Sequence, residues 1–260
     1  MKLPQFVPIL TAFTERVAGR EMTELLQSPT ALARALADTQ TVVGHDGVLS
    51  IFDPLLLASA CIRKLDETSS NGEAQSPSLT PPDEILQTAP LVTLLESIQP
   101  LRHHLPDRAM IFTTFTGPGL LYSQLQDIFE SSAMTGGADS DYVFDVILSV
   151  VRSALELKTD GIALIEQAAP GIPSELQRCH KKIRKLTDFY DAGFLVFRLP
   201  GAEDQEPVIP AHCVFDLAPS AHCIDPLLGQ LEQSAASDTL PVTTAGDVPA
   251  STLVEELKTL

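Results

Sequence analysis

The sequence predicts an α/β protein, a single compact (β/α)8 barrel of the TIM type that spans residues 1–260. Short runs rich in β-branched and aromatic residues recur along the chain, as is typical of buried parallel strands. Amphipathic helical stretches separate these runs, and such alternation favours parallel pairing with right-handed crossovers. The length of 260 residues also fits one barrel, since barrels of about 250 residues are common.

Eight strands are predicted, and the first five have the more continuous apolar runs. They cover residues 6–13, 47–53, 109–115, 161–167, 194–199, 208–214, 220–224 and 241–245. An open doubly wound sheet is the alternative, although no G-x-G-x-x-G motif follows the first predicted strand.

Helices are predicted between the strands, over residues 28–44, 81–105, 140–161, 172–193 and 249–260. Ser28 is expected to cap the first of them and Gly44 to end it. A break before Pro90 divides the second into two pieces. Segment 66–84, rich in Ser, Pro and Glu, is predicted to be a flexible surface loop inside the domain.

The charge balance restricts the partners. A net charge of −17 and a pI near 4.6 argue against nucleic acid and anionic membranes, because both require a basic face. No apolar run reaches the ~18 residues of a membrane span. The four cysteines include no C-x-x-C pair, which favours a reducing, cytoplasmic location. The expected partner is a small molecule, and an anionic one would need local positive charge.

Two arginines four residues apart, Arg16 and Arg20, follow the first predicted strand. In a parallel barrel the active site lies at the C-terminal ends of the strands, so these arginines are candidates for the pocket. The simpler alternative is a helix surface on which they pair with Glu15, Glu21 or Glu24. The same rule selects the other candidates at strand ends: Asp53, Glu166, Gln167 and Arg198.

Six segments in order along nearly the whole chain resemble the uroporphyrinogen decarboxylase superfamily. "RVAGR" is similar to its R-Q-A-G-R signature, and "LSIFDPLLLASA" to its F-S-D-I-L segment. The other four are "TFTGPGLLYSQL", similar to G-A-P-F-T-L, "LIEQAAPGI", similar to F-E-S-H-A-G, "CIDPLL", similar to G-N-L-D-P, and "TAGDVPASTLVEELK", similar to the closing G-H-G segment.

This resemblance implies a carboxy-lyase that acts on a carboxylated substrate, of the tetrapyrrole type in the parent family, without a cofactor. Arg16 and Arg20 would hold substrate carboxylates through bidentate contacts. Asp53 would bind the pyrrole N–H groups and stabilise positive charge on the reacting ring. The remaining implied substrate-binding residues are Tyr122, Gln124, Glu166, Gln167 and Arg198.

The chain also departs from the family pattern. Gln124 stands where the decarboxylase has its active-site tyrosine, with Tyr122 two residues away. Gln167 replaces the serine of F-E-S, and Ala245 or a neighbour replaces the late histidine. These changes favour a relative with a different substrate, or a non-catalytic member that binds a ligand without turnover.

A second group of residues suggests a metal. His212, Cys213, His222 and Cys223 form two His-Cys pairs ten residues apart. Their side chains suit zinc, and the superfamily includes zinc-dependent methyltransferases that act on corrinoids or thiols. However, the H-x-C-G of those enzymes is replaced by "RLPG" at 198–201. Small buried cysteines are the alternative. Zinc-dependent methyl transfer is therefore the second hypothesis, and a homodimer is left open.

Overall fold

The computed structural model describes residues 11–44, 46–51, 53–63, 78–131, 138–167, 174–199 and 213–216. In these ranges the helices are α1 (Thr11–Ala18), α2 (Met22–Leu25), α3 (Pro29–Val43), α4 (Leu56–Cys61), α5 (Leu91–His104), α6 (Pro118–Ser131), α7 (Ser140–Glu156) and α8 (Ser174–Phe189). The strands are β1 (Gly47–Leu49), β2 (Ile62–Arg63), β3 (Ser78–Leu79), β4 (Met110–Thr116), β5 (Gly161–Gln167), β6 (Gly193–Leu199) and β7 (Cys213–Asp216).

Five of these strands form one parallel sheet in the order β1-β4-β5-β6-β7. Because all five run the same way, their C-terminal ends lie along one side of the sheet, called the carboxyl edge below. The helices that connect β1 to β4, β4 to β5 and β5 to β6 confirm the predicted parallel β/α alternation over that part of the chain. The described strands do not close into a barrel, so the eight-stranded closure stays a prediction.

Both faces of the sheet are buried. One face packs against the helices through alternate residues of three strands: Ile111, Phe115, Ile162, Leu164, Phe194 and Val196. The intervening side chains are also at most 3% exposed: Phe112, Thr114, Thr116, Ala163, Ile165, Leu195 and Phe197. Burial on both faces explains why β4, β5 and β6 read as continuous apolar runs rather than alternating ones.

Local signals predicted the helix boundaries well. The Ser28 side chain accepts a hydrogen bond from the Ala31 amide at 3.3 Å and caps α3. Gly44 ends α3 in the left-handed conformation, with φ of 81°. The predicted break also occurs, because a short 3-10 turn at Ile85–Gln87 is separated from α5 by the cis Ala89–Pro90 bond.

Several boundaries predicted from sequence are wrong. Residues 11–13, taken as the end of the first strand, begin α1, where Phe13 is 1% exposed and Val17, four residues later, is partly buried. The strand predicted over 47–53 ends at Leu49. The strand predicted over 208–214 continues to Asp216, and its first five residues lie outside the described residues. Helix α6 was not predicted, because "GPG" resembles a turn.

Other predictions fall outside the described residues. These include the strands at 220–224 and 241–245 and the helix at 249–260. Of the predicted loop 66–84, the described end carries β3, which pairs antiparallel with β2. No helix in the described part of the chain is long and apolar enough to cross a bilayer.

Candidate functional site

A backbone carbonyl group of the loop after β1 contacts the carboxyl edge. The Pro54 oxygen accepts hydrogen bonds from Thr116 Oγ1 at 2.8 Å and from Gln124 Nε2 at 3.1 Å. These bonds join the loop to the end of β4 and to α6. Asp53 is half-buried in this loop, and its Oδ1 accepts the Leu55 amide at 2.8 Å. Asp53 is therefore held at the edge where the sequence placed it.

Glu166 lies near the end of β5 and is only 4% exposed. Its carboxylate accepts the backbone amides of Gly119 at 3.3 Å and Leu120 at 3.2 Å, in the first turn of α6. His180 Nε2, on α8, lies 2.8 Å from Oε1 of Glu166. Through these contacts Glu166, a residue of β5, joins this strand to α6 and α8. Its carboxylate also stabilises the positive end of the α6 dipole.

The sequence "TGPG" makes this close approach possible. A Cβ atom on Gly117 would lie 2.4 Å from Cδ of Glu166, so only glycine fits there. Pro118 occupies the first position of α6, where its missing amide N–H costs nothing. Gly119 then supplies one of the two amides that Glu166 accepts. The segment "TGPG" therefore begins α6 and leaves room for the buried carboxylate of Glu166.

His180 was missed because "RCHKKIRKL" was interpreted as a solvated basic face. In α8 the buried side chains Leu176, Cys179, His180 and Ile183 follow the spacing of an apolar helix stripe. Burial, and secondarily the negative charge of Glu166, raises the pKa of Cys179 to about 12. The apolar spacing around His180 was the signal in the sequence that could have revealed its burial.

Charged residues line up along the carboxyl edge. Glu166 is the register partner of Arg198 on β6, and Arg198 is the partner of Asp216 on β7. Gln167 follows Glu166, and adjacent strand residues point to opposite faces. Glu166 and Gln167 therefore face different sides of the sheet, and only one of them can contact a given ligand directly.

Two polar atoms that are buried without partners lie on β4 and on α6. Thr114 Oγ1 and Gln124 Oε1 have no hydrogen-bond partner among the residues that the structure describes. Thr114 is 3% exposed, and its amide donates to Ser50 Oγ at 3.0 Å. Buried polar atoms normally find a partner, so these two could bind a polar ligand group or water. Sequence reasoning missed Thr114 because threonine is also an ordinary strand residue.

The other predicted site residues are more dispersed. Tyr122 is partly buried and packs against the hydrophobic core. Arg16 and Arg20 are exposed, one on α1 and the other two residues beyond it. Arg20 Nε lies 3.3 Å from Glu24 Oε2, with both side chains about half exposed. This contact is the surface ion pair that the acidic neighbours predicted.

No cluster of three or more potential metal ligands occurs within the described ranges. Cys213 begins β7 as the register partner of Leu195, while Asp216 ends the strand at the carboxyl edge. His212, His222 and Cys223 lie outside the described residues. The zinc site thus stays a prediction from sequence.

Comparison with known proteins identifies a similar fold. No family model and no curated protein matches the sequence. A methyltransferase from Methanosarcina mazei is similar in structure over 98% of this chain and 93% of its own, with a TM-score of 0.61 and 14% identity. A putative phosphonomutase from Burkholderia cenocepacia matches over 80% of this chain and 64% of its own, with a TM-score of 0.34 and 16% identity.

The methyltransferase likeness defines the class of the fold. At 14% identity the likeness shows the fold alone. Together with the parallel sheet, it places the chain among α/β proteins built from β/α units, compatible with a TIM-like arrangement. The phosphonomutase likeness is too low to support an argument.

Proposed function

We propose that the protein is a methyltransferase-type β/α enzyme whose small-molecule substrate binds at the carboxyl edge of the sheet. The observation that supports this best is the fold likeness to a methyltransferase along 98% of the chain. The resemblance in sequence points to a superfamily that includes methyltransferases acting on corrinoids or thiols. Decarboxylation is less well supported, because Arg20, expected to hold a substrate carboxylate, forms a surface ion pair with Glu24.

In this proposal one set of residues contacts the substrate, and a second set holds the carboxyl edge in place. Arg198 would bind an anionic group, since its guanidinium offers several donors in a planar arrangement. Gln124 would bind a polar group of the substrate through its buried amide oxygen. Glu166 and His180 are positioning residues, because their mutual contact and the amides of α6 hold the edge in place.

Zinc would serve this reaction by making an acceptor thiol more nucleophilic at neutral pH. The candidate ligands are His212, Cys213, His222 and Cys223. The position of Cys213 does not support this assignment, because Cys213 begins β7 whereas the substrate is proposed to bind at the carboxyl edge. Because the described residues assemble no metal site, the zinc hypothesis needs a direct test.

The first test is the metal content of protein purified without added metal, measured for wild type, Cys213→Ser and Cys223→Ser. We expect about one zinc per chain, lost in either cysteine variant. The matched control is His103→Gln, which changes an exposed histidine on α5 and should keep the metal. Metal-free wild type would reject the zinc form of the proposal.

The second test measures methyl transfer directly. The protein is incubated with methylcobalamin or a methylated thiol and with a free thiol acceptor, and the methylated product is detected by mass spectrometry. Transfer that is lost in Arg198→Gln and kept in Arg152→Gln, an exposed arginine on α7, would support the proposed site. No transfer from any of these donors would count against the proposal.

Decarboxylation is the second candidate, because Asp53 is half-buried and fixed at the carboxyl edge. A carboxylated tetrapyrrole should then raise the melting temperature of wild type but not of Asp53→Asn. Asp46→Asn is the matched control, since Asp46 precedes β1 at the opposite edge. Release of CO2 would establish a decarboxylase, whereas stabilisation without CO2 would indicate the non-catalytic binder.

A further inference from the structure

Positive charge is concentrated on one helix of this acidic protein. Residues 178–185 of α8 include five of the 17 lysines and arginines in the chain, although the net charge is −17. The carboxyl edge uses only the buried side of α8, through Cys179 and His180. The basic side therefore has no role in the site described above.

The two sides of α8 are sharply divided. Its buried residues are Leu176, Cys179, His180, Ile183 and Thr187. Its exposed residues at matching helical spacing include Arg178, Lys181, Lys182, Lys185 and Phe189, and these five are called the α8 stripe. Asp188 is also exposed on this side and pairs with Arg184. Phe189 is 81% exposed and contacts Tyr190 edge to face, with ring centroids 5.2 Å apart.

The cations of the α8 stripe are not neutralised by the described part of the protein. Arg184, beside the stripe, pairs with Asp188 at 2.9 Å. Among the side chains that the structure describes, Arg178 and the three lysines form no ion pair. Like charges three and four residues apart destabilise a helix. Phe189, at the end of the α8 stripe, adds exposed apolar surface. The stripe therefore offers a ligand both positive charge and an apolar contact.

We propose that the α8 stripe docks an acidic segment of another protein. Carboxylates would contact the four cations, and an apolar side chain of the segment would pack on Phe189 and Tyr190. From residue 178 to residue 189 the helix rises ~16 Å. That distance corresponds to about five residues of an extended peptide.

The charge of the whole molecule favours a narrow acidic segment over other anionic partners. A nucleic acid or an anionic membrane would extend beyond the stripe and meet a chain of net charge −17. A second copy of the chain would bring the stripe against a different, acidic surface. Such a contact between unlike surfaces propagates or closes a ring instead of forming a simple dimer.

The test uses fluorescein-labelled ten-residue peptides and fluorescence anisotropy. One peptide contains only glutamate, and a second has leucine near one end. The stripe variant is Lys181→Glu/Lys182→Glu/Lys185→Glu. Its matched control is Arg34→Glu/Arg108→Glu/Arg152→Glu, which makes the same change in net charge at exposed arginines outside α8. Circular dichroism confirms that both variants are folded.

We expect wild type to bind both peptides, and the stripe variant to bind them about tenfold more weakly or worse. The matched control should change the affinity less than about twofold. The leucine peptide should bind about threefold more tightly than the glutamate peptide, and Phe189→Ser should remove this difference. Higher salt should weaken all of these affinities.

Three results would overturn the proposal. The first is absence of peptide binding to wild type, or equal loss in the stripe and matched-control variants. The second is tighter binding to a single-stranded oligonucleotide or to phosphatidylserine vesicles, which would assign the stripe to a different partner. The third is concentration-dependent self-association that the stripe variant abolishes, since the occupant would then be another copy of the chain.

Discussion

Two pairs of titratable residues in this protein, Glu166 with His180 and Arg20 with Glu24, differ in how far the structure buries them. Glu166 and His180 are each at most 7% exposed, and Glu166 also accepts two amides of α6. Arg20 and Glu24 are about half exposed and form a single contact at 3.3 Å. The first pair joins three elements of the fold, whereas the second joins neighbouring turns of the same short stretch.

The difference lies in what replaces water around each charge. A buried carboxylate is stabilised only by the donors that the protein provides, so removal of Glu166 leaves those donors without a partner. Exposed charges remain hydrated whether or not the partner is present, and their pairing contributes little. Burial therefore indicates which charged residues the fold depends on.

The largest effect is expected for Glu166→Ala. The change leaves His180 and two buried amides without their acceptor, and we expect a loss of about 3–5 kcal/mol in the free energy of unfolding. Urea denaturation measures this loss. Glu24→Ala is the matched control and should cost less than about 1 kcal/mol. Equal effects of the two variants would contradict the contrast between the pairs.

A smaller loss is expected for Gly117→Ala. The new methyl group would overlap the Glu166 side chain, and overpacking of this kind costs about 1–3 kcal/mol. In the double variant with Glu166→Ala the clash disappears, so the double variant should lose less stability than the sum of the single ones.

Gly19→Ala supplies the control for this series. Gly19 has φ of 62° and no atom within 4 Å of an added Cβ, so backbone strain alone should cost about 1–2 kcal/mol. Its effect should be additive with Glu166→Ala, because the two sites share no contact. If the stability losses of Gly117→Ala and Glu166→Ala were also additive, the Glu166 side chain would not be what limits the space beside Gly117.

Alkaline pH tests the environment of Cys179, whose pKa is raised to about 12 mainly by burial. A raised pKa means that the folded state favours the neutral thiol. The resulting stabilisation is complete below the unfolded pKa of about 8.5 and is lost as pH rises toward the folded value. Between those values, Cys179→Ala should reduce the loss of stability by about 1 kcal/mol per pH unit. Urea denaturation at several pH values measures this slope, with Ser97→Ala, another buried change, as a control that should leave it unaltered.

The smallest effect is expected for Arg20→Ala. Its ion pair with Glu24 is exposed, so we expect a change in unfolding free energy below about 1 kcal/mol, decreasing further with salt. A larger, salt-independent loss would show that the arginine has a structural role beyond this pair.

The parts of the fold that depend on local chemistry were predictable. Ser28 and Gly44 mark the ends of α3 because capping geometry involves residues a few positions apart. The continuous apolar runs of β5 and β6 indicated buried parallel strands, because this pattern is also contained within a few neighbouring residues. Prediction failed where two structures share one local pattern, as at residues 11–13, which extend an apolar run but begin α1.

The candidate site was only partly predictable. Asp53, Glu166 and Arg198 lie at the carboxyl edge because strand ends in a parallel sheet must meet there. The roles of Glu166 and Gln167 could not be separated, because their opposite directions depend on the register of the strand. His180 was missed because its partner lies 14 residues away in the chain, on another element.

The sequence by itself determined the alternation of strands and helices, the ends of α3 and the basic composition of α8, because each follows from neighbouring residues. Only the tertiary structure decided that Glu166 is enclosed by α6 and His180, and that Gly117 must lack a side chain beside it. Those contacts join segments that are distant in sequence. Their energies depend on burial, which no single segment specifies.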